Sequence, residues 1–127
     1  MADNIQEEIQ DKIMDLIALG AEGRLVAFKP ENADRDLVVE KKGEYKKEAL
    51  SLSVYENRFP DSKGLIAANN FYLMFVHFDI VKRDIADNFL LVPSLDFKKF
   101  GSKGDFSKFS TDKKHFVRFL IDTLYKK

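Results

Sequence analysis

Cysteine and tryptophan are both missing from these 127 residues. Without cysteine there are no disulfides, no thiolate metal sites and no cysteine nucleophile. Proline occurs three times and glycine six times, and no low-complexity tract interrupts the chain. The longest nearly apolar run, residues 71–78, is too short to cross a bilayer. The opening MADNIQEEIQ is acidic and lacks the basic-then-apolar pattern of a signal peptide. These features lead us to expect a cytoplasmic protein with no membrane partner. Recognisable chemistry is scarce too. There is no glycine-rich phosphate loop, no paired-His zinc motif and no nucleophile-elbow pattern.

What remains is a globular composition. Hydrophobic residues make up 45%, aromatics 13% and charged residues 33%, which suits one folded domain spanning 1–127. The aromatic content is dominated by 12 Phe, so phenylalanine should fill the core. Acidic and basic side chains balance at 21 each, but unevenly along the chain. Residues 1–40 are strongly acidic and residues 98–127 strongly basic. Because the basic residues are spread out, we read them as a solvated face, or one attracted to the acidic end. The sharper reading is a phosphate-binding face for nucleic acid in 98–127.

Periodicity supplies the elements. Ile5, Ile9, Ile13, Leu16 and Ile17 form one stripe of a helix over residues 4–19, with Asp3 or Asn4 as cap and Gly20 as a stop. Strands are expected at 24–28 and 36–40. Leu50, Leu52 and Val54 alternate with Ser51, Ser53 and Tyr55, which predicts a third strand across a charged turn at 41–47, pairing as an antiparallel hairpin. A loop over 57–70 holds a short helix near 65–68. Residues 71–79 form a central strand covered on both faces. Another strand covers 88–92, and Ser94 caps a helical turn at 95–100. An edge strand is expected at 105–109. Phe116, Phe119, Leu120 and Leu124 mark a last helix over 111–125. The fold class is α/β (α+β), a mixed sheet of four or more strands flanked by helices.

Candidate chemistry rests on isolated residues. His77 reads as a structural residue within a strand and His115 as a solvated one. Carboxylates at Glu7, Glu8 and Asp11, and at Asp34, Asp36 and Glu40, would need to converge before they could hold a divalent metal.

The run 33–45 (ADRDLVVEKKGEY), followed by Leu52-Ser53-Val54-Tyr55, resembles the β-hairpin of restriction-endonuclease-like domains of the PD-(D/E)xK superfamily. The runs 71–79 (FYLMFVHFD) and 91–97 (LVPSLDF) resemble the following part of small uncharacterised members, and the likeness spans about residues 5–100. In active members, an Asp and a Glu or Gln bind magnesium, and a Lys two residues on helps activate water. The resemblance puts the Asp at Asp36, but the acidic position falls on Ser53 and the Lys position on Tyr55. It therefore implies the fold and a degenerate site built from Asp36, Ser53 and Tyr55, with no catalytic residue and no cofactor. A non-catalytic module binding a protein, itself or nucleic acid is the leading expectation. One alternative is a magnesium-dependent nuclease with relocated ligands, Asp36 with Glu7 or Glu8, joined by Glu56 if a bulge takes it off the face it shares with Leu52 and Val54. An unrelated α/β interaction domain is the other.

Overall fold

The computed structural model describes residues 2–31, 35–43, 49–56, 59–101 and 104–125. Asp34, residues 44–47 of the charged turn, Asn57 and the basic Lys103, Lys126 and Lys127 lie outside the described residues. In chain order the elements are α1 (Ala2–Gly20), β1 (Leu25–Phe28), β2 (Leu37–Lys41), β3 (Ala49–Glu56), a 3-10 turn (Ser62–Gly64), β4 (Phe71–Val76), β5 (Phe78–Asp79) and β6 (Asp84–Ile85). There follow β7 (Asn88–Pro93), α2 (Ser94–Phe100), a second 3-10 turn (Ser107–Phe109), β8 (Ser110–Asp112) and α3 (Lys113–Tyr125). The expected mixed sheet flanked by helices is present.

Six strands form the main sheet in the order β1-β2-β3-β4-β7-β8, while β5 and β6 make a separate small hairpin. Every neighbouring pair in the main sheet is antiparallel except β3 and β4, which run parallel with Ser53 opposite Leu73 and Tyr55 opposite Phe75. A parallel pair needs a crossover connection. Here the described part of the connection from β3 to β4, residues 59–70, crosses over one face of the sheet without a regular α-helix.

Strand alternation sends side chains to two cores. On one face Leu37, Val39, Leu50, Leu52, Val54, Met74 and Val76 are buried beneath the helices. α1 adds Ile9, Ile13 and Ile17, and α3 adds Phe116, Leu120 and Leu124. Phe78 and Ile85 of the small hairpin join this core. On the other face Phe71, Leu73, Phe75 and Val92 pack under Phe97 of α2 and under Phe106. Phe97 sits between Phe75 at 5.7 Å and Phe106 at 5.2 Å, centroid to centroid. Four of the twelve phenylalanines thus supply most of an aromatic second core.

Several local expectations are corrected. The 3-10 turn lies at Ser62–Gly64 rather than near 65–68. Residues 107–109 turn as a 3-10 helix, and the edge strand is Ser110–Asp112, formed by pairing with β7. α3 accordingly begins at Lys113. His77 is exposed in the gap between β4 and β5, so the apolar run 71–79 is two strands. Ser94 does not cap α2, whose N-cap is Pro93. Its buried hydroxyl instead accepts from the Ala68 N–H and donates to the Ala68 carbonyl, both at 3.0 Å, which ties the crossover to the sheet.

Gly20 also serves another purpose than stopping α1. The helix ends through Glu22, at φ 53°, and Gly23, at φ 83°. The Gly23 N–H donates to the Ala18 carbonyl and the Glu22 N–H to the Leu19 carbonyl, the paired bonds of a Schellman turn. A Cβ on residue 20 would come within 3.0 Å of Val117 Cγ2, so glycine there lets α1 approach α3 closely.

At the start of α3, Lys113 bridges Asp84 at 3.1 Å and Asp87 at 3.5 Å. Burial raises the Asp84 pKa, but hydrogen bonds from Lys113 and the Ile85 N–H, with the charges of Lys113 and Lys12, outweigh it and leave the group below its ordinary 3.8. A carboxyl depressed on folding lends stability that is present above its unfolded pKa and lost as pH falls through its folded one. Asp84→Asn should therefore lower the urea midpoint at neutral pH, and its difference from the parent should shrink as pH falls below the ordinary 3.8. Phe97→Ala, at a fully buried position, should cost about 3–5 kcal/mol in a denaturant titration.

Candidate functional site

The residues picked out by the hairpin resemblance lie where β2 ends against β3. β2 begins at Leu37, so beyond it β3 loses its neighbour on that side. Buried backbone groups left there would be costly. Two side chains satisfy them. Asp36 Oδ2 accepts the Val54 N–H at 2.7 Å, and the Gln6 amide of α1 donates to the Val54 carbonyl at 3.2 Å. The Asp36 N–H adds a bond to the Leu52 carbonyl at 3.0 Å. Asp36 thus completes the sheet with one of its two carboxylate oxygens.

Ser53 and Tyr55, two residues apart on β3, point to the α2 side of the sheet. Ser53 is buried, and the Tyr55 ring stacks on Phe75 at 5.6 Å and 26°. Both line a pocket of about 200 Å³ together with Arg35, Phe71 and the crossover residues Leu65 and Ile66. The Arg35 guanidinium carbon lies 3.6 Å from the centroid of the Phe71 ring, a close cation–π arrangement. Phe59 meets Phe75 edge-on at 4.7 Å and extends the aromatic surface outward. The crossover wall is fixed from below by Ser94 and by Lys98 Nζ, which donates to the Leu65 carbonyl at 2.5 Å.

The alternative ligands do not join this group. Glu7 is exposed on α1. Glu8 pairs with Arg83, accepting from its Nε at 3.2 Å and from its Nη2. Glu56 follows Leu52 and Val54 to the helix-covered face, where its Oε2 lies 3.5 Å from the Phe78 nitrogen. Among the described residues, no three His, Asp or Glu side chains converge on one point. None of the described helices is long and apolar enough to cross a membrane.

Among the described residues, several cations of the basic C-terminal third are engaged separately. Lys98 binds a carbonyl, Lys99 and Lys108 lie near Phe100 and Phe109, and Lys113 is held by two carboxylates. His115 pairs with Asp112 at 2.8 Å, and its backbone N–H and ring hold that carboxyl below its ordinary pKa. Sequence reasoning overlooked Arg35, Phe71 and Ile66 as one site. The usable signal was an arginine directly before the strand-initiating Asp36. The Arg35–Phe71 contact itself has no local pattern.

If Asp36 acts through its acceptor oxygen rather than its charge, Asp36→Ala should cost about 1–3 kcal/mol by stranding the Val54 N–H. Asp36→Asn, which keeps a carbonyl oxygen there, should cost less than about 1 kcal/mol. Equal losses in a urea titration of the two variants would show that charge is what matters.

Compared with known proteins, the chain matches no protein-family model, no curated protein and no solved structure.

Proposed function

We propose that this chain is a non-catalytic module of restriction-endonuclease-like fold, and that it binds a partner protein through the face around Arg35, Ser53, Tyr55 and Phe71. The observation that carries this reading is the engagement of Asp36 with the Val54 N–H. Phosphodiester hydrolysis needs a metal ion to stabilise developing charge and to generate hydroxide near neutral pH. Magnesium dehydrates reluctantly and demands several well-placed oxygens. Here Asp36 serves the backbone, Ser53 brings no carboxylate, and Arg35 lines the same pocket and repels a cation.

The surroundings favour a protein as partner. Tyr, Phe and Arg are the residue types that anchor protein interfaces. Ile66 is 68% exposed and Phe59 45% exposed at the margin of this face. Nucleic acid would draw on the basic residues of 98–127, of which Lys113 is held by Asp84 and Asp87 and Lys98 by the Leu65 carbonyl. A cytoplasmic setting agrees with the cysteine-free composition.

Single- and double-stranded DNA incubated with the protein and magnesium or manganese should stay intact. Metal-dependent cutting by the parent that vanishes in Asp36→Ala would defeat the non-catalytic reading. A photo-cross-linking residue placed at Ile66 should capture a discrete protein in cells, whereas the same probe at the exposed Val81 should not. Identical adduct patterns at both positions would remove the assigned binding face.

A further inference from the structure

A second cleft lies between the end of α1 and the first turns of α3, on the helix-covered side of the sheet. Its volume is about 770 Å³, within the span of clefts that take small molecules, about 300–1,000 Å³. We infer that this cleft binds a small amphipathic anion, an apolar body carrying one carboxylate or phosphate group.

Two sets of residues support that chemistry. The floor is apolar, formed by Leu16 of α1 and by Val117 and Ile121 of α3. It exists in this shape because Gly20 presents no side chain toward Val117. The rim carries Arg24, Lys114 and Arg118. Among the described residues none of these three has a carboxylate within ion-pair distance, whereas neighbouring Lys113 and His115 are engaged by Asp84, Asp87 and Asp112. Arg24 is also held in place. Its Nε donates to the Ala21 carbonyl at 3.2 Å, and its own carbonyl accepts from the Tyr125 hydroxyl at 2.9 Å. Among the described residues Glu22 is the one acid lining the cleft, so the balance there is cationic.

An apolar floor rewards a hydrocarbon body, and the rim cations reward an anionic head through charge-assisted hydrogen bonds. Neither half suffices for another class of ligand. A nucleic-acid backbone offers evenly spaced phosphates with no apolar body to fill the floor. A neutral apolar molecule leaves the three cations without a partner. This assignment does not depend on the binding face around Arg35, which opens on the opposite side of the sheet.

Isothermal titration of the full chain with decanoate and with decyl phosphate tests it. Both should bind in the micromolar range, with decanol, acetate and inorganic phosphate each at least about tenfold weaker. The double variant Lys114→Glu and Arg118→Glu changes two exposed side chains, and its circular dichroism should match the parent. It should bind decanoate about tenfold or more weakly, while Glu22→Gln should bind it more tightly. Equal affinity for decanol and decanoate would overturn the proposal, as would decanoate binding unchanged in the double variant. No binding of decanoate or decyl phosphate would overturn it as well. So would association confined to vesicles of anionic lipid, because the cleft would then not be the site.

Discussion

The parallel seam between β3 and β4 is the constraint on which the rest of this molecule depends. On either side of it the sheet is antiparallel: β1, β2 and β3 form one set, and β4, β7 and β8 the other. Joining the two sets in parallel obliges the chain to cross from one end of the sheet to the other. The crossover cannot also lie on the face occupied by α1 and α3, so it covers the opposite face with α2. The aromatic core of Phe71, Phe75, Phe97 and Phe106 follows from that choice. So does the pocket, whose floor is strand and whose wall is crossover.

The same junction explains how Asp36 came to serve the backbone. β2 is shorter than β3, so the seam strand extends past its antiparallel neighbour. Asp36 and Gln6 satisfy the exposed Val54 groups from two different elements. A metal site would require the carboxylate to face outward. Here it faces along the sheet, while a stacked arginine occupies the adjoining pocket. The pocket thus brings a guanidinium and aromatic rings together beside a carboxylate turned to the backbone.

Much of this architecture is legible in the chain because its signals are periodic. The isoleucines of α1 and the alternation of Leu50, Leu52 and Val54 each match one period, and both sets are buried where that period places them. Residues whose meaning depends on distant partners are a different matter. Asp36 acts on Val54, eighteen positions away. Ser94, which looks like a helix cap, hydrogen-bonds Ala68 across the core. Gly20 has the look of a stop signal but is needed for the approach of Val117. β8 is three residues long and exists through its pairing with β7, so no pattern of its own marks it. The Arg35–Phe71 stack likewise joins two segments that nothing in the local sequence connects.

The parallel seam also governs the order in which the molecule can assemble. The set β1, β2 and β3 closes through connections shorter than the crossover and can form early, whereas the seam must wait for the crossover to close. Until then β4, with its run FYLMFV, is an apolar strand with an open edge. An unpaired edge of that kind is a template for strands from other chains. The central strand that is most thoroughly protected in the finished fold is therefore the point of greatest exposure to misassembly while the fold is being made.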